Sequence, residues 1–252
     1  MFIKKLFLII TLCFLIFRSM LVAGNDTTSY VLLPQYHLSG EIFQANMPTR
    51  GSPFFNEAWY RGDVLRASGH WVSDQLLRYN GFLDELLWLP SMVRPQVMLD
   101  RGQVKGFIMF TPGRRDTLIF EKIIVRPRFS SQERSIYAQK LYRGKSAVML
   151  HHQIQEDGEY HKRTGRGVFI MQVLKPAPVY YILLPDNQTL LLRKLNNRSF
   201  LRLFDEERRE LRRSLRENRI RIRTNQDLVK AVRLMDQLFW EYSEEHTMVD
   251  DM

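Results

Sequence analysis

Between Gly51 and about Leu195 the chain breaks into short apolar runs divided by turn dipeptides. The runs include "DVLRASGHWVSDQLLRYNGFLDELLWLP", "VMLDRGQVKGFIMF", "LIFEKIIV" and "AQKLYRGKSAVMLHHQI". The dividers are Ser68-Gly69, Asn80-Gly81, Arg101-Gly102, Pro112-Gly113, Arg143-Gly144, Asp157-Gly158 and Asp186-Asn187. Most of the intervals show no helical period, a pattern that predicts an antiparallel sheet of many strands. Two hairpins stand out. "VYYILLPDNQTLLLRKL" places Asp186-Asn187 between two β-rich arms, and "KLYRGKSAVML" turns at Arg143-Gly144. Asn80-Gly81 is the dipeptide of a tight hairpin.

After Asn196 the period changes. In "RSFLRLFDEERRELRRSLREN", Phe200, Phe204, Leu211 and Leu215 form one apolar helical face, and Asp205 is a candidate cap for a further stretch of helix. "NRIRIR" alternates as a short extended piece does. Thr224 and Asp227, three apart, make a capping-box start. The apolar positions Leu228, Val232, Met235, Leu238, Phe239 and Tyr242 then predict an amphipathic helix. The expected fold class is α+β. A many-stranded curled antiparallel sheet over 51–195 is packed by C-terminal helices over 196–245, within one domain spanning 51–252. Residues 25–50 read as a leader segment, partly ordered through "SYVLL".

The N-terminal segment carries a signal for export. Lys4 and Lys5 precede an apolar run from Leu6 to Phe17, and small residues follow at Val22-Ala23-Gly24. This is the layout of a secretory signal peptide over 1–24, cleaved after Gly24. The run ends at Arg18, short of the roughly 20 residues a spanning helix needs. The alternative is an uncleaved anchor lengthened by Met20 to Val22. Leu12 is not the small residue that a lipid-attachment signal places before its cysteine, here Cys13. Cleavage removes three cations (Lys4, Lys5 and Arg18), so a net charge of +10 becomes +7, and it removes the single cysteine. An exported chain without disulfides rests on its core. The content of 45% apolar residues is enough for one, and a domain of this size buries roughly 70% of its unfolded surface. The expected location is the periplasm or the outer membrane, with no other stretch able to span a bilayer.

Residues 203–228 carry eight arginines against six acids, a net of +2. Asp205 and Arg209, Arg213 and Glu217, and Glu210 and Arg213 stand at helical pairing distances, each such pair contributing about 0.2–0.5 kcal/mol. Arg208, Arg212 and Arg216 form the stripe without matching acids. The plain reading is a solvated helix face. The functional one is binding of an anionic surface, such as lipid headgroups or a polyanionic glycan. Nucleic acid is not expected, because export separates the chain from it and no reader motif is present.

Other chemistry is thin. Arg61-Gly62-Asp63 matches a receptor-read tripeptide but lies in strand-like sequence. His151-His152, with Glu156, Asp157, Glu159 and His161, has metal-ligand residue types, yet neighbours on a strand point to opposite faces. No G-x-S-x-G elbow or phosphate loop is present. Asp84-Glu85 and Asp100 are candidate carboxylates that read as strand ends. No catalytic residue, metal site or cofactor is assigned. Three Asn-x-Ser/Thr sites, beginning at Asn25, Asn187 and Asn197, are discounted because the signal peptide reads as bacterial.

The segments "GSPFFNEAWYRGDVL", "LLRYNGFLDELLWL", "KLYRGKSAVMLHHQ", "PVYYILLPDNQTLLLRKL" and "LRENRIRIRTNQDLVKAVRLMDQL", in this order, resemble a family of uncharacterised exported proteins of Bacteroidetes-type bacteria. The resemblance spans roughly residues 51–240 and rests on structural motifs, so it implies no activity. The family carries larger residues after its Tyr-Asn, where this chain has Gly81, which implies a strand or bulge there. The expected function is a non-enzymatic interaction module of the cell envelope, its partner an unknown envelope protein or an anionic surface. One alternative is a periplasmic carrier of an apolar ligand (lipid or lipoprotein), with Trp88, Phe107, Phe110, Phe120 and Tyr181 lining a cavity under the C-terminal helix. The other is a two-carboxylate hydrolase.

Overall fold

The computed structural model describes residues 38–241 except 45–47, 91–94, 115, 127–131 and 166. The signal-peptide segment, "SYVLL" and Tyr242 lie outside the described residues. The first strands are β1 (Gly40–Ile42), β2 (Thr49–Arg50), β3 (Tyr60–Arg66), β4 (Trp71–Asn80), β5 (Glu85–Leu89) and β6 (Val97–Leu99). Then come β7 (Val104–Phe110), β8 (Thr117–Val125), β9 (Arg134–Arg143) and β10 (Ala147–His151). A long excursion, β11 (Ile154–Thr164) and β12 (Gly167–Pro176), precedes β13 (Val179–Leu183) and β14 (Thr189–Leu192). The described residues end in α1 (Asn197–Leu201), α2 (Arg208–Glu217) and α3 (Asn225–Asp236), which runs into a π turn at Gln237–Glu241.

Eleven strands form one antiparallel sheet in the order β1-β6-β5-β4-β3-β7-β8-β9-β10-β13-β14. β11, β12 and β2 form a second sheet, with β2 parallel to β12. Strand-rich architecture with C-terminal helices is as the sequence predicts. The expected curl is not: no sheet is strongly curled. Curvature is built by bulges and kinks repeated across a sheet. The main ladder shifts register only at Gly62/Val64, Leu65/Arg66 and Val148/Met149. Strands also begin before Gly51, since β1 pairs with β6 and Leu38 is buried in the core.

Both hairpins form. β9 and β10 turn through Gly144–Ser146, and β13 and β14 turn with Asn187 at φ 65°, which its short amide side chain tolerates. Asp157-Gly158 is no turn. It is a bulge within β11, with Gly158 at φ 92°. Asn80-Gly81 makes a four-residue loop rather than a tight turn. Asn80 Oδ1 accepts the amides of Phe82 and Leu83, each at 3.0 Å, and the positive φ falls on Asp84. Gly81 serves a different need. The Ile154 amide donates to its carbonyl at 3.0 Å, and a Cβ on residue 81 would stand 2.2 Å from the His152 carbonyl oxygen.

One core packs Leu77, Tyr79, Trp88, Phe107 and Phe120, with the last two rings stacked at 4.6 Å. Ile123, Val125, Ile136 and Met149 form a smaller core on alternate strand positions. The third core lies under the helices. Val148, Leu150, Ile182 and Leu192 of the sheet meet Phe200, Leu211, Leu215, Leu228 and Val232. The predicted single face of Phe200 to Leu215 is split between α1 and α2. Asp205 caps nothing; α2 starts from Glu207 without a side-chain cap. Thr224 and Asp227 form the predicted capping box of α3. "NRIRIR" is not the extended piece its alternation predicts: Asn218 and Arg219 form the turn that ends α2, with Arg219 at φ 54°, and Ile220 to Arg223 join no sheet. The Asn197 side chain donates to Ile220 O at 2.9 Å and accepts from Ile222 N at 2.8 Å. Asp236, at the end of α3 and only 2% exposed, accepts the Ser146 amide and the Tyr142 hydroxyl, both at 3.1 Å, and so ties the helices to the β9–β10 turn.

Gly81→Ala should destabilise the fold by about 1–3 kcal/mol, the range for an overpacked site. The cause is steric, because residue 81 has no need of positive φ. Urea unfolding of the variant checks it.

Candidate functional site

Two constellations gather charged chemistry. The first is built on α1 and α2. Asn196 caps α1, its Oδ1 accepting the Ser199 amide at 2.7 Å. This short helix sets Phe200 and Leu201 inward and Arg198 and Arg202 outward. On α2, Leu211, Ser214 and Leu215 face the core, while Arg212 and Arg216 are exposed. Between the two helices lies a groove of about 420 Å³ lined by Asn197, Leu201, Leu215 and five arginines: Arg198, Arg202, Arg208, Arg212 and Arg216.

The five are not equivalent. Arg208 bridges the helices, with Nε donating to the Leu201 carbonyl at 3.0 Å and Nη2 to Asp205 at 2.7 Å. It therefore holds the groove together. Arg198, Arg202, Arg212 and Arg216 have no acid partner among the described residues. The neighbouring surface of α2 is mixed: Glu206, Glu207, Glu210 and Glu217 stand among Arg209 and Arg213, and Arg212 and Arg216 border that surface as well as the groove. There the expected Arg213–Glu217 pair forms at 3.2 Å, whereas Asp205 pairs with Arg208 rather than Arg209. The groove gathers Arg208, Arg212 and Arg216 with Arg198 and Arg202, but Arg208 is paired with Asp205 and is therefore not the unmatched cation its position in the stripe predicts. The signal of Arg198 and Arg202 in the sequence was a spacing of four, interrupted by the non-helical residues before α2.

The second constellation is buried. β10 pairs with β9 only from Gln139 to Arg143. Nearer the start of β9, the backbone of Ser135 and Tyr137 lacks a partner from β10. Asp84, from the β4–β5 loop, fills the gap: its Oδ1 accepts the Tyr137 amide at 3.1 Å and the Tyr79 hydroxyl at 2.6 Å. Arg101 completes it, donating to Asp84 Oδ2 at 2.5 Å, to the Ser135 carbonyl at 2.6 Å and to Glu85 at 3.2 Å. An ion pair stands in for a strand. Burial pushes the Asp84 carboxyl up, but the neighbouring His151 ring, the Tyr79 hydroxyl and Arg101 together outweigh it and hold Asp84 below its ordinary value. Burial pushes Glu85 up against the pull of Arg101. Burial and the Asp84 charge also raise Tyr79, which stays a hydroxyl donor.

Both oxygens of Asp84 are engaged within the fold, so Asp84 and Glu85 form a structural clamp rather than a free acid and base. His151 and His152 do not share a site. His151 is 2% exposed, with Nε2 3.6 Å from Asp84. His152 packs on Phe55 with ring centroids 4.2 Å apart and sets Nε2 2.7 Å from Gln139 Oε1. Burial, aided by His151, lowers the His152 pKa to about 4. Arg61-Gly62-Asp63 lies inside β3, with Arg61 paired to Asp74 at 2.5 Å and Asp63 accepting the Asp74 amide at 2.9 Å.

No family model matches this chain, and neither does any curated protein or solved structure.

Asp84→Asn should cost about 3 kcal/mol at pH 7, because it strands Arg101 beside a neutral group. The folded-state carboxyl is the more acidic one, so its contribution is complete above the ordinary aspartate value of 3.8 and is lost as pH falls below it. Urea unfolding should show the gap between variant and parent narrowing over that interval. His152 gives a separate window. Its folded pKa of about 4 lies below the unfolded 6.5, so stability falls as pH drops from about 6.5 towards 4. His152→Gln should flatten that part of the profile.

Proposed function

We propose that the protein is a non-enzymatic interaction module of the cell envelope that engages an anionic partner through the groove between α1 and α2. The observation that carries this reading is the convergence of Arg198, Arg202, Arg212 and Arg216 on one groove, none of them in an ion pair with an acid among the described residues. Guanidinium groups set close together in this way favour a ligand with several adjacent negative oxygens, because each can take a charge-assisted hydrogen bond. The signal-peptide layout of residues 1–24 and the resemblance to exported bacterial proteins support an envelope partner on this reading.

The alternatives gain less support. The space between the sheet and the helices is filled by buried side chains from both layers, which leaves an apolar ligand no volume there among the described residues. Trp88, Phe107 and Phe120 are core residues. The adjacent acids Asp84 and Glu85 are both bound to Arg101, so a hydrolase built on them lacks a free pair.

Tripolyphosphate titrated into the protein by calorimetry should bind with one site. Arg198→Glu/Arg202→Glu and Arg212→Glu/Arg216→Glu should each weaken it, by roughly tenfold for every charged hydrogen bond lost. The affinity should fall as salt rises, since the groove is open to solvent. Variants that bind as well as the parent would refute the assignment.

A further inference from the structure

The arm formed by β11 and β12 is the other unexplained feature. β2 pairs with β12 only at Gln172 and Val173. From Tyr160–Met171 outward the arm is therefore two strands wide, a form that is marginal alone in water. Its strands differ in character. β11 carries His161, Lys162 and Arg163, and β12 carries Val168, Phe169 and Ile170. The register pairs them one to one: His161 with Ile170, Lys162 with Phe169 and Arg163 with Val168. Paired residues share a face. Beyond Tyr160, one long side of the arm is therefore basic and the other apolar, on both faces, while Glu156, Asp157 and Glu159 lie on the inner part of β11.

Val168, Phe169 and Ile170 are 56%, 54% and 51% exposed, and with Tyr160 they make up half of the eight exposed large hydrophobic residues among the described residues. Val168 and Ile170 share one face of β12 and Phe169 lies on the other, so the apolar tip is exposed on both faces, an exposure of the kind that marks an interaction site. Lys162 and Arg163 have no acid partner among the described residues, whereas His161 lies 3.2 Å from Glu159. Arg50 of β2 stacks 4.5 Å from the Tyr160 ring and adds a cation on the same arm.

We propose that this arm enters the interface of an anionic phospholipid surface. Val168, Phe169 and Ile170 sit among the acyl chains, and Lys162, Arg163 and Arg50 bind headgroup phosphates. The charge pattern selects this occupant. A neutral protein surface covering the apolar side would desolvate the adjacent cations without pairing them. A lipid interface supplies apolar depth and phosphate within a few ångströms of each other. Pairing with a second copy along the inner part of β11 is opposed by the bulge between Glu156 and Glu159, a device that blunts sheet edges. This inference is independent of the arginine groove.

The test uses the full chain with Cys13→Ser and Phe169→Cys, labelled with a polarity-sensitive fluorophore and checked for folding by circular dichroism. The emission should shift to the blue with phosphatidylcholine vesicles containing phosphatidylglycerol, and not with phosphatidylcholine alone. Adding Lys162→Ala and Arg163→Ala should weaken that partition by roughly fivefold per charge. The same label at Leu83→Cys, an exposed apolar residue on the β4–β5 loop, should not shift. No shift at 169 on anionic vesicles, an equal shift at 83, or an equal shift on neutral vesicles would each overturn the proposal. So would a shift without vesicles that grows with protein concentration, which would identify a second copy as the occupant.

Discussion

Guanidinium groups repel one another, and five of them line one groove here because the opposite sides of the same helices are buried. Phe200, Leu211 and Leu215 are at most 1% exposed, beneath the arginines and against the sheet. Each such side chain contributes about 1.5–3 kcal/mol by burial. Like charges on an exposed helix oppose it by only about 0.2–0.5 kcal/mol per pair. Burial decides the contest, so the helices pack with their basic sides converging. On the proposed reading, the remaining repulsion is what an anionic ligand would relieve.

A second theme is polar side chains that replace missing backbone partners. Asp84 and Arg101 serve the edge of β9 where β10 departs. Asn197 serves Ile220 and Ile222, which join no sheet, and Asp236 serves the Ser146 amide in the β9–β10 turn. Buried backbone groups need partners, and each of these side chains meets that need from a distant part of the chain. The last two fix α1 and α3 in place, and with them the groove.

The sheet and its hairpins were legible because alternation and turn dipeptides are local signals. The capping box at Thr224 was legible for the same reason. Asn80-Gly81 misled because Gly81 answers to the distant His152 carbonyl rather than to its own turn. Asp157-Gly158 misled because a bulge and a turn use the same residues. Of the groove, Arg208, Arg212 and Arg216 could be read from their spacing, although Arg208 proved to be a bridge. Arg198 and Arg202 could not, because the break between α1 and α2 hides their proximity. The clamp at Asp84 was invisible for a related reason: it joins residues more than fifty positions apart.

The most direct test of the central claim is a nuclear magnetic resonance titration that follows the arginine Nε–Hε signals as tripolyphosphate is added. Arg198, Arg202, Arg212 and Arg216 should move together along one saturating curve, while Arg213, paired with Glu217 across the helix, stays in place. Equal, unsaturating shifts of all surface arginines would contradict a built site and reduce the groove to a solvated helix face.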